Sequence, residues 1–395
     1  MVQSKSTVEM KKIWLLIVFL TFLPNVFSQD TIYSYNEYEL KKDMPIYYRL
    51  MRERLTFPDA WGNSSISSFK KWRKHARKLL EESLQAVPPD TLFRYQITDT
   101  EQRRGYRAEK IKFNISFDVR IPAYLLIPEG DGPFPALVVL HDHGAKFSIG
   151  KEKNVRPFHV PDSILQESIK WVEKCYDGVY VGDFFASKGY VVLAIDALFW
   201  GERGRFEGIN YNAQQALASN LFQLGTSWCG IITNNDIRSS EFLATLPFVD
   251  AERIGAVGFS IGAHRAWMLS AASDRIHATA AICWMNTTKY LMTLANNQNK
   301  GYSAYSTILP GLRNHLDYPH VASIICPKPL LVFNGARDKL FPLDGTRDAF
   351  DILRQVWDSQ NVADKLDTRI WDTSHIFNRE MQNEVLRFMD KYLKK

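Results

Sequence analysis

The chain has little cysteine. Four residues, Cys175, Cys229, Cys283 and Cys326, are spread over 395 positions. That excludes a small disulfide-built scaffold, and the spacing defines no pairing. The 21 Gly and 17 Pro are too few for a collagen-like repeat or proline-rich low complexity. No charge of one sign dominates: 49 Lys and Arg stand against 43 Asp and Glu, and both signs are mixed along the chain. A nucleic-acid binder usually gathers its basic residues on one stripe, so no nucleic-acid partner is expected. Long apolar runs are missing too. Ile13–Leu20 falls short of the roughly 20 residues that span a bilayer. What remains is a globular composition, 46% hydrophobic and 23% charged, long enough for one large core or for a large and a small domain.

The first 28 residues differ from the rest. Lys11 and Lys12 precede the apolar stretch from Ile13 to Leu20, then come Pro24 and the small residue Ser28. A basic start, a short apolar middle and a small residue at the cleavage point predict a secretory signal peptide over 1–28, with an exported, periplasmic or secreted protein after cleavage near Ser28. Loss of Lys5, Lys11, Lys12 and Glu9 would lower the net charge from +6 to about +4. No stable membrane span is expected afterwards.

Residues 29–90 read as a helical lead-in. Phe69, Trp72, Ala76, Leu79, Leu80 and Leu84 recur at helical spacing, Lys and Arg fill the solvated face, and Pro88-Pro89 ends the run. From residue 91 to 395 the rhythm predicts a second, larger domain. Leu92–Ile97, Ile111–Phe117 and Arg120–Ile127 read as strands, antiparallel by their turns. Short, fully apolar runs then alternate with helical patterns: Ala136–Leu140, Tyr190–Ile195, Arg253–Phe259, Ala278–Trp284, Pro329–Phe333 and Thr368–Trp371. Helical stretches are Asp236–Leu246, Ala263–Ala272, Asp344–Val356 and Arg379–Tyr392. Runs buried on both faces belong to a parallel sheet. The expected class is therefore α/β, a doubly wound, mostly parallel sheet with an antiparallel start and helices on both faces. The connections at about 145–180 and 200–235 have room for helices of their own.

In such sheets ligands bind beyond the carboxyl ends of the strands. After Arg253–Phe259 comes Gly258-Phe259-Ser260-Ile261-Gly262, a G-x-S-x-G between a strand and a helix. The pattern suits a serine on a strained turn with nearly side-chain-free flanks and a helix N-terminus behind it. A serine needs a base and an orienting acid. His375 alone among nine histidines lies beyond the last candidate acid strand. Asp338 follows Leu331-Val332-Phe333-Asn334-Gly335 and is the expected acid; Asp344 and Asp348 fall where the next helix should begin, Asp344 reading as its N-cap. The oxyanion needs two backbone N–H donors. One is expected at Ile261 and the other in His141-Asp142-His143-Gly144, at His143 or Asp142. His141 and His143 also have metal-ligand spacing, but no further ligand cluster accompanies them, and no metal is expected. Trp200, Trp284 and Trp371 sit at strand ends, where their rings read equally as sugar-facing surfaces or as loop packing, and Glu202 and Arg203 read as a structural bridge or a substrate contact.

Leu140-His141-Asp142-His143-Gly144, Gly258–Gly262, Asp338 and His375 together resemble the α/β-hydrolase superfamily, in its dienelactone-hydrolase-like and acetylxylan-esterase-like branch. Gly150-Lys151-Glu152-Lys153, Phe199-Trp200-Gly201-Glu202-Arg203-Gly204 and His264-Arg265-Ala266-Trp267-Met268 are similar to exported bacterial hydrolases of that branch, often labelled acetylxylan esterases. The resemblance covers about residues 68–395. It departs at Ala263, where many members carry Gly, and at His264, which reads as a packed helix residue. It implies an eight-stranded-type sheet, no cofactor, and a secreted serine carboxylesterase removing acetyl or similar groups from carbohydrate such as xylan. Alternatives are a serine peptidase of related fold and a non-catalytic carbohydrate-binding relative.

Overall fold

The computed structural model describes residues 46–85, 91–204, 209–293 and 304–394. The expected signal peptide lies outside the described residues, as does the first part of the lead-in. Residues 49–395 form one compact unit, which carries everything described below.

Nine strands build one sheet in the order β1-β2-β3-β5-β4-β6-β7-β8-β9. They are β1 Gln96–Arg103, β2 Tyr106–Asn114, β3 Arg120–Pro128, β4 Phe134–Leu140, β5 Val191–Ile195, β6 Val249–Phe259, β7 Ala278–Ile282, β8 Leu330–Gly335 and β9 Leu366–Trp371. β1 to β3 pair antiparallel, and β3 meets β5 antiparallel; from β5 through β4 to β9 every pair is parallel. The antiparallel start and parallel body agree with the sequence rhythm, with nine strands in place of eight. The first strand is displaced from the expected Leu92–Ile97. β1 is polar and mostly exposed, so no apolar alternation marks it, while Leu92 is exposed and Phe93 packs beside Phe113 and Phe242.

The principal helices are α1 Phe69–Leu84, α2 Asp162–Tyr176, α3 Val181–Ala186, α4 Tyr211–Gln223, α5 Trp228–Ala244, α6 Ile261–Ala272, α7 Leu343–Ser359 and α8 Arg379–Leu393. The connections with room for helices supply α2 in the first case, with α3 following directly after it, and α4 with the start of α5 in the second. Alternate strand residues face opposite layers. Leu137, Val139, Val257 and Phe259 point to Val172 of α2, Phe185 of α3 and Val385 and Met389 of α8. Val138, Leu140, Ile254 and Ala256 point to Phe242 and Leu243 of α5 and Ala266 and Leu269 of α6. Further along that second face, Leu330 and Val332 meet Trp267 of α6 and Leu353 of α7.

Helix α1 is integral to this core rather than peripheral. Trp72, Ala76, Leu80 and Leu84 are buried with Ala263 and Trp267 of α6. Its basic face also works as a clamp. Arg77 donates to Asp274 and to the Ala271 carbonyl at the end of α6, and Arg73 donates to Asp274 and the Ile324 carbonyl. These cations sit where the helix dipole is negative and finish its free carbonyls.

The sheet order reverses around β4, which has β5 on one side and β6 on the other. The crevice beyond the carboxyl ends of β4 and β6 is thus the topological switch point. His141–Gly144 leaves one of these strands and Ser260 leaves the other.

Candidate active site

Ser260 occupies the junction of β6 and α6 with φ 57° and ψ −124°, a left-handed conformation costly for a residue with a Cβ. Its neighbours make that turn possible. A Cβ on Gly258 would lie 2.0 Å from the Gly262 carbonyl oxygen, and a Cβ on Gly262 would lie 2.0 Å from the Leu140 carbonyl oxygen. Both positions therefore require glycine, and the second brings β4 against the start of α6. The strain is held from both sides: the Ser260 N–H donates to Ile282 of β7, and the Ser260 carbonyl accepts from Ala263. Ile261, the first residue of α6, has an N–H that no residue of the helix can take up.

Two loops bring partners to the serine. At the ends of β8 and β9, Ala336 N–H donates to Trp371 and Arg337 N–H to Thr373. Gly335 permits this contact, since its Cβ would lie 2.5 Å from the Thr373 oxygen. The stapled loops carry Asp338 and His375. His375 Nδ1 lies 2.6 Å from Asp338 Oδ2, and His375 Nε2 lies 2.8 Å from Ser260 Oγ. With the carboxylate accepting from Nδ1–H, Nε2 is the acceptor for the serine hydroxyl. Asp338 is buried, and its second oxygen accepts from the Leu340 N–H. The ring of His375 is packed between Phe259, at 4.8 Å, and Phe341, at 5.9 Å. A hydroxyl, an imidazole and a buried carboxylate in this chain of contacts have the geometry for nucleophilic attack with proton transfer.

The loop after β4 faces this group. His141, Asp142 and His143 are buried. His141 Nε2 accepts from the Ala197 N–H, so Nδ1 carries the proton and donates to the Asp142 carbonyl at 2.8 Å. His143 Nδ1 accepts from the Ala145 N–H. Burial and the nearby Lys153 push the His143 pKa down to about 4, and burial also holds His141 well below the ordinary histidine value. Both nitrogens of His141 are taken by backbone groups, whereas His143 Nε2 lies 3.5 Å from Gln214 Oε1 of α4. Among the described residues, two groups do have metal-type donors together. Cys283, Asp338 and His375 form one, and Glu152, Asp196 and Glu202 the other. In the first, Asp338 and His375 are engaged with each other and with Ser260, and the Cys283 thiol meets the Ile376 carbonyl. The second is centred on Lys151, whose Nζ lies 2.8, 2.9 and 2.6 Å from the three carboxylates.

The chain matches the Abhydrolase family over residues 48–362. It belongs to that family. A Bacillus subtilis (strain 168) protein named "Putative hydrolase YtaP" is 25% identical over 322 residues, covering 81% of this chain and all of that protein. Among solved structures, a Bacteroides fragilis NCTC 9343 protein described as a "putative acetyl xylan esterase" aligns with TM-score 0.67 and 19% identity, covering 88% of this chain and 91% of that one. A glucuronoyl esterase from Solibacter usitatus aligns with TM-score 0.57 and 13% identity, over 83% and 95% of the two chains. These structural matches are likenesses of fold, and the fold is that of the α/β-hydrolase superfamily.

In this member of the Abhydrolase family several residues sit differently from their sequence-based placement. Of the two readings for Trp200 and Trp284, packing holds and the sugar-facing ring does not, because both are buried. Trp200 packs on His143, Phe147 and Trp228, and Trp284 on His264, Tyr318 and Phe341. Their size makes them core fillers, because a strand end beneath a long insertion is no longer a surface. Trp371 is only partly buried and sits edge-on to Phe333. Glu202 and Arg203 do not bridge each other. Glu202 pairs with Lys151, while Arg203 donates to the Asp196 carbonyl and to Asn235. Asp344 is no N-cap: Pro342 holds that position and Asp344 lies inside the first turn of α7. His264 is packed in the core, as expected, with its pKa pushed down to about 3 by burial. Arg265 is buried and forms a bidentate pair with Asp236, tying α6 to α5. All four cysteines are buried and free.

Sequence reasoning missed Cys283, whose thiol donates to the Ile376 carbonyl beside Asp338 and His375. Burial pushes this thiol pKa up, so it stays protonated and does not compete with the serine. It also missed Lys153 and Asp196, whose charges sit beneath the loops that frame the site. Lys151-Glu152-Lys153 entered the sequence reading only through the family resemblance, with no role given to its charges.

Proposed function

We propose that this protein is an exported serine carboxylesterase that removes acetyl or similar acyl groups from carbohydrate such as xylan, without a cofactor. The observation that carries the reading is the contact chain from Ser260 Oγ through His375 to Asp338. In this reading Ser260 Oγ attacks the ester carbonyl as its proton passes to His375 Nε2. Asp338 orients the imidazole and stabilises the imidazolium, and the tetrahedral oxyanion takes N–H donors from Ile261 and the loop after β4. The alcohol leaves with the proton from His375, and an acyl ester remains on Ser260. Water then attacks that ester, gives its proton to His375, and the acid departs as Ser260 regains its hydrogen.

The carbohydrate part of the reading is supported by the names of the structural neighbours, acetyl xylan esterase and glucuronoyl esterase. The buried Trp200 and Trp284 lend it nothing. Export is supported by the pattern of residues 1–28, and among the described residues no helix is long and apolar enough to cross a membrane. The division into signal, helical lead-in and hydrolase domain belongs to the same proposal, with α1 built into the hydrolase core.

The test is a substrate comparison. Purified protein is assayed on p-nitrophenyl acetate, a peptide anilide and acetylated xylan, with released acid measured on the polymer. Turnover of the acetyl esters and release of acetate from xylan support the proposal. A preference for the anilide would replace the esterase with a peptidase.

A further inference from the structure

Resting on the esterase reading, we infer that Lys153 is a positioning residue of the oxyanion site, and that the second oxyanion donor is the N–H of His143 rather than that of Asp142. A trans peptide points its C=O and the following N–H in opposite directions, so whatever holds the oxygen aims the hydrogen. The cis bonds of the described residues are Gly132-Pro133 and Cys326-Pro327, so the peptides of the 141–144 loop are trans.

The His141 carbonyl faces the start of α6, 2.9 Å from where a Cβ of Gly262 would stand. The N–H of Asp142, across the same peptide, is turned away from that helix start and cannot share an oxyanion with Ile261. The next two carbonyls point the other way, into the protein. The Asp142 oxygen accepts from Lys153 Nζ at 3.0 Å and from His141 Nδ1 at 2.8 Å. The His143 oxygen accepts from the same Nζ at 2.9 Å and from Trp200 Nε1 at 3.1 Å. Three donors, through four hydrogen bonds, thus hold two consecutive carbonyls inward, and the N–H groups of His143 and Gly144 turn outward to the crevice.

Lys153 is the only one of these donors that spans both carbonyls and carries charge. It is fully buried, with the Asp142 carboxylate 3.7 Å away and the Trp171 ring 5.7 Å below. That carboxylate is itself held by Tyr176 and Trp171. A cation at the oxygen end of a peptide polarises the bond and makes its N–H a stronger donor. A developing oxyanion on the other side would gain from this without the ammonium touching it. Burial lowers the Lys153 pKa, and the Asp142 and Asp196 carboxylates oppose that shift.

The experiment compares wild type with Lys153→Met and Lys153→Gln, counting active sites by stoichiometric fluorophosphonate labelling. The rates are read per labelled site on p-nitrophenyl acetate, beside the affinity for a trifluoromethyl ketone that mimics the tetrahedral adduct. Lys153→Met is expected to lower kcat by about 10- to 100-fold with KM within about threefold, and to weaken the ketone by the same factor as kcat/KM. Lys153→Gln keeps a donor without the charge and should fall between; it serves alone if the methionine variant does not fold. A kcat per labelled site equal to wild type in the variants, with unchanged ketone affinity, overturns the inference, because a merely structural lysine lowers only the labelled fraction. If wild type itself is not labelled at Ser260, the esterase reading falls first and this inference with it.

Discussion

At the scale of single residues, the site depends on a few atoms whose positions are over-determined. Ser260 is held in a costly conformation by two glycines that leave no room for a Cβ. Asp338 is placed by its own Leu340 contact before it meets His375. Its role in the proposed mechanism is orientation and tautomer, so a near-isosteric change should remove function while sparing the fold. Asp338→Asn is expected to cut kcat by ~10²–10⁴-fold with little change in melting temperature. Steady-state kinetics on p-nitrophenyl acetate, together with a melting curve, check this; activity within a few-fold of wild type would assign the acid elsewhere. That Ser260, His375 and Asp338 would meet could be read from the sequence, because a strand-turn-helix glycine pattern and strand-end positions carry them. The roles of Trp200 and Lys153 were not legible. Burial beneath an insertion, and not residue type, decides whether an aromatic ring or a charge faces solvent.

At the scale of elements, α1 shows how a basic amphipathic helix is used. Its apolar stripe was visible at helical spacing, but its docking surface was not, because that surface is made by α6 and the 309–326 segment far along the chain. Trp72 is the anchor. It is fully buried, stacked near Trp61 and Phe69, and its Nε1 donates to the Asp59 carbonyl at 2.8 Å. Trp72→Ala should destabilise the fold by about 3–5 kcal/mol, measured by denaturant unfolding. A loss below about 1 kcal/mol would mean that α1 is a dispensable appendage. The apolar strands β4 to β8 were readable as uninterrupted runs, whereas β1 was placed too early, at Leu92–Ile97, because an exposed edge strand carries no such run. The helices inside the two long connections were anticipated only as available length. Their sequences mix charge and apolar residues to suit a site wall as much as a core.

At the scale of the whole molecule, burial of neutral histidines contributes to the loss of stability in acid. His143 and His264 have folded-state pKa values pushed down to about 4 and about 3. The unfolded chain takes up these protons near the ordinary histidine value, so stability is present above that value and is lost as pH falls towards the folded ones. Asp196 runs the other way. Burial raises its pKa to about 6, so the folded state binds that proton more readily. A variant isolates one contribution from the sum. Relative to wild type, His264→Leu should show a shallower fall in unfolding free energy between pH 6.5 and 4.5, by up to about 1.4 kcal/mol per pH unit. Parallel curves for the two proteins would show that His264 is not held neutral in the folded state.

The central claim is that Ser260 is the nucleophile of a covalent mechanism, and mass spectrometry of the inhibited protein tests it most directly. After reaction with a fluorophosphonate, the account predicts one adduct per chain, mapped to Ser260 in the peptide that spans β6 and α6, with none on Ser260→Ala. An unmodified wild type, or an adduct that persists in Ser260→Ala, would contradict it.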